Sequence, residues 1–211
     1  MVLTALNLQN KRILIVGGGA VATRKLSKFL NQGADVLVIS LAVSDEITNL
    51  QSEGQVNWKQ EAYQSELLVD FQPQIVIAAT DDAVLNETVT TDAHKIGAWV
   101  NNASDSETSD FHMLADIDKA PIRVGLSTGS TAPSLIKELK DRIIEAIGED
   151  IPTLATWLAD IRPMVKDNIA NQKERGQFFH KIVASNILDL LEAGEIEAAR
   201  EHFDKFLEEL A

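Results

Sequence analysis

Along the first hundred positions two textures alternate. Short unbroken apolar runs occur at 13–16 (ILIV), 36–39 (VLVI), 75–79 (IVIAA) and 99–100 (WV). Runs of this length without polar interruption are the signature of strands covered on both faces of a parallel sheet. Between them the apolar residues recur three and four positions apart. In VATRKLSKFLNQG, Val21, Leu26, Phe29 and Leu30 share one helical face, charged residues lie opposite, and Gly33 is placed to close the helix as its C-cap. LNETVTTDAHKIG repeats the pattern and stops at Gly97. Strand, helix, strand, helix predicts an α/β fold with a doubly wound parallel sheet.

The texture changes near Asn101. SDSETSD is polar and loop-like, and FHMLADI and IRVGLST are two short strands around the turn signal DKAP. Beyond STGSTAPS the pattern is helical. Leu154, Trp157, Leu158 and Ile161 form one apolar stripe; Ile196, Ala199, Phe203, Phe206, Leu207 and Leu210 form another. Gly194 separates the last two helices, and Pro163 is expected to bend or end an earlier one. These changes divide the chain into residues 1–110, a strand-rich segment over 111–148, and a helical part over 149–211.

A length of 211 residues suffices to bury a core, and 45% hydrophobic with 24% charged residues is the composition of a globular chain. The absence of cysteine excludes a disulfide framework, a thiolate zinc site, an iron–sulfur cluster and a cysteine nucleophile, and fits a reducing compartment. MVLTALNLQNKR lacks the basic-then-apolar pattern of a signal peptide, and no apolar run reaches membrane-spanning length. A cytoplasmic protein with no membrane partner is expected. The formal net charge is −13 and the cations are scattered, which argues against a nucleic-acid partner. The four histidines, His94, His112, His180 and His202, show no paired metal-ligand spacing, so no metal site is expected. His94, His180 and His202 read as helix-surface residues. His112, on the first short strand, is a candidate substrate contact.

The chemistry-bearing stretch is LIVGGGAVATRK. Gly17, Gly19 and Ala22 fit G-x-G-x-x-[G/A] directly after a strand and at the opening of a helix. The first glycine permits a tight turn, the second lets the backbone approach a pyrophosphate, and the small third residue lets helix and strand pack closely. A Walker phosphate loop is excluded, because no Gly-Lys-Ser/Thr follows at the required distance. A Rossmann-like dinucleotide site is therefore predicted at Gly17, Gly18 and Gly19. The second strand ends in Ser40, where an acid often binds the ribose hydroxyls, and no arginine follows to hold a 2′-phosphate. NAD is the expected cofactor. Thr80 and Asp81, at the carboxyl end of IVIAA, are placed to line the same crevice, while Asp81 or Asp82 caps the following helix.

LIVGGGAVATRK, GADVLVIS, VIAATDD…LN, VNNASD and LSTGSTAPSL occur in this order and at this spacing. As an ordered set they resemble the precorrin-2 dehydrogenase family, the N-terminal domain family of siroheme synthases. The length resembles a stand-alone bacterial form rather than a fusion with a methyltransferase. The resemblance covers roughly residues 1–150, with the tail matching in length and texture. It implies an N-terminal Rossmann domain, a dimerisation segment over 111–148, a C-terminal helical domain, and a homodimer. It further implies NAD-dependent oxidation of precorrin-2, a tetrapyrrole octacarboxylate, to sirohydrochlorin. Cofactor contacts would fall at Ala20 and Val21, then at Leu41 and Ala42. The family's catalytic aspartate follows the fifth strand in a V-N-V-x-D pattern. Here the chain reads VNNASDSE, so Ser104 occupies the strictly aligned position and the role passes to Asp105, one residue later. A turn residue in a polar loop is the structural alternative for Asp105.

A substrate with this many carboxylates needs cations and hydrogen-bond donors. Ser127, Thr128, Gly129 and Ser130, leading into a helix near Pro133, are candidates together with Arg123 and Lys137. Ordinary capping and a solvated helix face are the alternative. Ala132 stands where some relatives carry a serine, so regulation by phosphorylation there is not expected. Competing functions are an NAD-sensing regulatory module, a Rossmann dehydrogenase for another small substrate, and a bifunctional dehydrogenase that also inserts iron into sirohydrochlorin.

Overall fold

The computed structural model describes residues 2–129 and 132–210, with Pro133 described by its backbone alone. Contacts divide the chain between Met113 and Leu114 into two compact units.

The first unit runs β1 (Arg12–Val16), α1 (Ala20–Leu26), β2 (Asp35–Ile39), α2 (Asp45–Ser52), β3 (Asn57–Lys59), α3 (Glu66–Phe71), β4 (Ile75–Ala78), α4 (Ala83–Lys95) and β5 (Trp99–Asn102). The strands form one parallel sheet in the order β3-β2-β1-β4-β5. In register, Ile15 faces Val38 on one side and Ile77 on the other. Ile13, Ile15, Val36, Val38, Ile75 and Ile77 pack on one sheet face with Ala22, Leu26, Phe29 and Ile47 from the helical side. Leu14, Val16, Leu37, Ile39, Val76 and Ala78 pack on the other with Leu68, Val89 and Ala93. Successive side chains point to opposite faces and both faces are covered, which is why these strands read as unbroken apolar runs. Each fully buried aliphatic side chain contributes about 1.5–3 kcal/mol.

Two local outcomes differ from the sequence expectation. Helix α1 stops at Leu26, and residues 27–33 form turns in which Lys28 and Phe29 donate to carbonyls three residues back. Asn31 and Gly33 are left-handed, with φ of 59° and 73°. The chain before β1 closes against this turn: Asn10 N–H donates to the Gly33 carbonyl (2.8 Å). Phe29 is buried in the core all the same. The strand β3 was not among the predicted runs. At the sheet edge it offers one partly buried apolar residue, Trp58, between exposed Asn57 and Lys59. Helix α4 ends where expected, with Gly97 at φ 74° just beyond it.

The second unit holds an antiparallel hairpin, β6 (Ala115–Lys119) and β7 (Ile122–Leu126), then α5 (Pro133–Ile147), α6 (Asp150–Asn168), α7 (Gln172–Val183), α8 (Ile187–Glu192) and α9 (Ile196–Glu208). The hairpin begins four residues later than FHMLADI suggested. Phe111 and Met113 instead pack against the sheet core, and the Phe111 carbonyl accepts from Asn101 Nδ2 of β5 (2.7 Å). His112 therefore precedes β6 and is not on a strand. Lys25 of α1 reaches across to Asn101 Oδ1, and burial, then the adjacent Arg24, hold its ammonium below the ordinary lysine value. Pro163 does not end α6, which runs five residues past it; Ile161 and Val165 on either side are both buried in the helical core. That core gathers Leu154, Phe178, Ile182, Ile187, Leu191 and Phe203, with Trp157 edge-on to Phe203 at 5.3 Å. Among the described residues no helix is long and apolar enough to cross a membrane.

Phe203 is wholly buried, so Phe203→Ala is expected to destabilise the helical unit by about 3–5 kcal/mol. Denaturant unfolding followed by tryptophan fluorescence measures this, and a loss below about 1 kcal/mol would contradict the packing described.

Candidate functional site

The chain reverses direction across the sheet at β1: the sequence leaves it for β2 on one side and returns to β4 on the other. Ligands of open α/β sheets lie in the crevice beyond the carboxyl ends at such a switch point. There the structure has a cleft of about 670 Å³, walled by the β1–α1 loop, the chain after β2, the chain after β3 and the chain after β4. A cavity of similar volume, about 650 Å³, lies at the amino ends between Arg12, Leu68, Ile75, Ile96 and Trp99. It is lined by one glycine, Gly97, and lies at the opposite ends of the strands, whereas Gly17, Gly18 and Gly19 line the carboxyl-end cleft in succession at the opening of α1, and we assign the site there. All the residues assigned to the cofactor from sequence line it: Gly17, Gly18, Gly19, Ala20, Val21, Ser40, Leu41, Ala42, Thr80 and Asp81.

The three glycines serve different ends. Gly17 has φ 118°, and a Cβ there would stand 2.3 Å from the Ala79 carbonyl oxygen. It is required for the turn and for the contact with the end of β4. At Gly18 a Cβ would meet the Ala42 carbonyl oxygen at 2.2 Å, so this glycine lets the loop lie against the chain after β2. A Cβ at Gly19 would meet nothing within 4 Å. Its missing side chain relieves no contact inside the protein and leaves open cleft above the backbone. The loop is also bolted from below. Ser44 N–H donates to the Gly18 carbonyl (2.9 Å), and the hydroxyls of Thr23 and Ser44 are 2.9 Å apart. Ser44 in turn caps α2 through Ile47 N–H (3.4 Å).

Ser40 donates its hydroxyl to the Ala42 carbonyl (2.7 Å), leaving the oxygen able to accept. The chain after β3 forms the next wall and supplies Glu61, Ala62 and Tyr63, none of them signalled by the sequence pattern. Tyr63 is anchored on α4: its hydroxyl lies 3.3 Å from Asp92 Oδ2, which also accepts from Ser65 (2.6 Å), while Lys95 donates to Asp92 Oδ1 (2.8 Å). The bonds from Lys95 and then Ser65 hold the Asp92 carboxyl below its ordinary range. Burial, then the Asp92 charge, push the Tyr63 phenol well above its own.

The ends of β4 and β5 are joined by Asn86, a wholly buried polar residue of α4. Its Oδ1 accepts from Thr80 N–H (3.0 Å) and its Nδ2 donates to the Thr80 carbonyl (3.0 Å) and to Ser104 Oγ (2.6 Å). Asn102 Oδ1 accepts from Ser104 N–H (2.9 Å). Asp82 is the residue that caps α4, accepting from Val84 and Leu85 N–H, while Asp81 faces the cleft. Asp105 is exposed next to Ser104. Its Oδ1 accepts from Glu107 N–H (2.9 Å), which makes it the turn residue of its loop, and among the described residues no bond engages its other carboxylate oxygen. Ser104 and Asp105 do not line the cofactor cleft but stand at the adjacent strand end.

The remaining candidates belong to the second unit, apart from half-buried His112. Arg123 pairs across the hairpin with Asp118 (3.4 Å). Ser127 Oγ accepts from Gly129 N–H (3.1 Å), Thr128 Oγ1 accepts from Ala132 N–H (3.3 Å), and Gly129 is left-handed at φ 58°. Lys137 is exposed on α5 and carries no ion pair among the described residues. Ser130 lies outside the described residues. Among the described residues no group of three or more histidine, aspartate or glutamate side chains is placed to hold a metal ion.

Comparison with known proteins adds two family matches. Residues 4–115 match the family model described as "Putative NAD(P)-binding", and residues 151–207 match "Sirohaem synthase dimerisation region". The second match falls on the helices, and the resemblance had implied dimerisation through residues 111–148. The siroheme synthase of Methylococcus capsulatus is 34% identical over 194 residues, covering 92% of this chain and 40% of the relative. Siroheme synthase 1 of Pectobacterium atrosepticum is 31% identical over 193 residues, again 92% of this chain and 40% of the relative. The chain thus spans about two fifths of the length of these curated relatives. A solved structure named SirC, precorrin-2 dehydrogenase, superposes with a TM-score of 0.81 at 24% identity, covering 100% of this chain and 98% of its own; the two share a fold.

Gly19→Ala is expected to leave the melting temperature within about 2 °C while weakening dinucleotide binding about tenfold or more. Gly17→Ala is expected to cost about 3 kcal/mol or more through backbone strain and overlap with Ala79. Thermal melts with and without NAD separate the two. Asp92 has a lowered folded value, so its contribution is present above the unfolded carboxyl range and lost as pH falls through the folded one. Asp92→Asn should therefore destabilise the protein at neutral pH, with the gap to wild type closing in acid. An equal gap at every pH would remove the ionised-anchor reading.

Proposed function

The chain belongs to the NAD(P)-binding family found in siroheme synthases, and from that membership we propose that it oxidises precorrin-2 to sirohydrochlorin with NAD. The observation that carries the proposal is the cleft itself: bare backbone at Gly19, open above, at the switch point of the sheet. When bound, NAD supplies the hydride acceptor. The reaction balances if precorrin-2 gives up a hydride to the nicotinamide and a proton to a base, yielding sirohydrochlorin, NADH and H⁺.

In this reading the protein's work is to hold the dinucleotide at the glycine loop and to take the proton. The backbone N–H groups at the start of α1 would hold the pyrophosphate, and the Thr23–Ser44 contact keeps the loop in shape. Asp105 is the proposed base. The free oxygen of its carboxylate is available to a substrate C–H or N–H, while the other oxygen is occupied by the turn. Ser104, fixed by Asn86 and Asn102, is a positioning residue that orients Asp105 from the adjacent backbone. Thr128, Ser127, Gly129, Lys137 and Arg123 are read as partners for the substrate carboxylates, with His112 as a further contact. Among the described residues Lys137 carries no ion pair, whereas Arg123 would have to leave Asp118. The match of residues 151–207 to a dimerisation region supports a homodimer. A cytoplasmic location follows from the same biosynthetic reading.

Mixing the protein with precorrin-2 and NAD should produce NADH and the sirohydrochlorin spectrum together; NAD binding without either product would end the proposal. Asp105→Asn keeps the oxygen that closes the turn and removes the base. It is expected to lower kcat by about 10²–10⁴-fold while leaving the Kd for NAD within about twofold. Sedimentation at micromolar concentration should give twice the monomer mass.

A further inference from the structure

The family description covers NAD and NADP alike, and the second strand ends in a serine where an acid commonly grips the adenosine ribose. The fold brings a carboxylate to this place from the next strand. Strands β2 and β3 pair with Ile39 opposite Lys59. Beyond that pair three bonds lock the two chain segments together. Ser40 N–H donates to the Lys59 carbonyl (3.3 Å), Trp58 Nε1 to the Ser40 carbonyl (3.0 Å), and Gln60 Nε2 to the Leu41 carbonyl (3.0 Å). Glu61 follows at once. Its N–H turns back to the Lys59 carbonyl (3.0 Å), and the residue is half-buried and lines the cleft beside Ser40, Leu41 and Ala42. No hydrogen bond or ion pair among the described residues engages its carboxylate.

The other charges of the cleft sharpen the point. Its lining contains Glu61, Asp81 and Asp82 and no lysine or arginine. Asp82 is committed to capping α4, and Asp81 follows β4, across β1 from the β2 side. Glu61 is therefore the carboxylate on the side where the adenosine half of a dinucleotide lies over β2. We propose that Glu61 selects NAD over NADP, accepting hydrogen bonds from the adenosine ribose hydroxyls and repelling a 2′-phosphate. This rests on the reading that a dinucleotide occupies the cleft. A carboxylate accepts from both hydroxyls of an unmodified ribose, whereas a 2′-phosphate removes one donor and adds about two negative charges.

Titration of the full chain with NAD, NADP and NAD lacking the 2′-hydroxyl of the adenosine ribose tests this, with Glu61→Gln and Glu61→Ala as variants and a thermal melt as the folding control. The wild type is expected to prefer NAD to NADP by about 100-fold and to lose about tenfold when the hydroxyl is removed. In Glu61→Gln the charge is gone, and the preference over NADP should shrink about tenfold. In Glu61→Ala the acceptor is gone too, and removal of the hydroxyl should cost no more than about twofold. Unchanged discrimination in both variants, with NAD still bound, overturns the assignment of Glu61 alone. Failure of the wild type to bind any of the three overturns the dinucleotide cleft and this assignment with it.

Discussion

The site depends on one close approach. The α-carbon of Gly17 lies so near the end of β4 that even a methyl group would stand 2.3 Å from the Ala79 carbonyl oxygen. Gly17 N–H meanwhile donates to the Ile39 carbonyl at the end of β2 (2.9 Å), and Ala79 N–H donates to the Val16 carbonyl (2.8 Å). The chain leaving β1 is thus held between both neighbouring strand ends before it enters α1. A bulkier turn would lift the loop off the sheet and separate Gly19 from the cleft it floors. Gly18 then presses on the chain after β2, so the second wall takes its position from the first. The cleft is a consequence of backbone packing, with side chains added around its edge.

This explains what could be read from sequence. Strands β1, β2 and β4 are covered on both faces and betray themselves as unbroken apolar runs. The glycine pattern betrays the loop because no other residue fits Gly17. Once those are located, the strand ends point to Ser40, Thr80 and Asp81, while Leu41 and Ala42 were implied by the family resemblance; all five line the cleft. The division of labour between two adjacent aspartates was open in sequence, since either can cap a helix. Geometry resolves it: Asp82 accepts from two N–H groups of the first turn of α4, Val84 and Leu85, and Asp81 lines the cleft without capping the helix.

What stayed hidden acts through tertiary contacts. Strand β3 is three residues long at a sheet edge and buries one face, so it leaves no apolar run. The wall it carries, Glu61 to Tyr63, was invisible with it. Asn86 sits among polar helix positions as a surface residue would, yet it is wholly buried and holds two strand ends together. Nothing local marks an asparagine whose partners are six and eighteen residues away. Two helix boundaries have related reasons: α1 ends before the expected Gly33, and of the two outcomes expected at Pro163, a bend or an end, the end does not occur. The apolar spacing of 26–30 continues past the end of α1 because Phe29 reaches the core from a turn, and α6 continues through Pro163 because buried residues on both sides keep it in place.

The dinucleotide reading must meet an electrostatic objection. The chain carries a formal charge of −13, the cleft is lined by three carboxylates and no cation, and a pyrophosphate is itself an anion. Side-chain charge therefore cannot be what holds it. The glycine loop offers the remaining means, backbone N–H groups at the start of a helix, which are neutral, fixed and brought close because Gly19 has no side chain. The carboxylates are not spread over that loop. Glu61 follows β3, and Asp81 and Asp82 follow β4, on the two flanks of β1. Negative charge is kept to the flanks, where a dinucleotide presents hydroxyls, and is absent from the loop, where it presents phosphates. An acidic chain can bind an anionic cofactor on these terms, and the same arrangement would penalise one that carries a further phosphate on its flank.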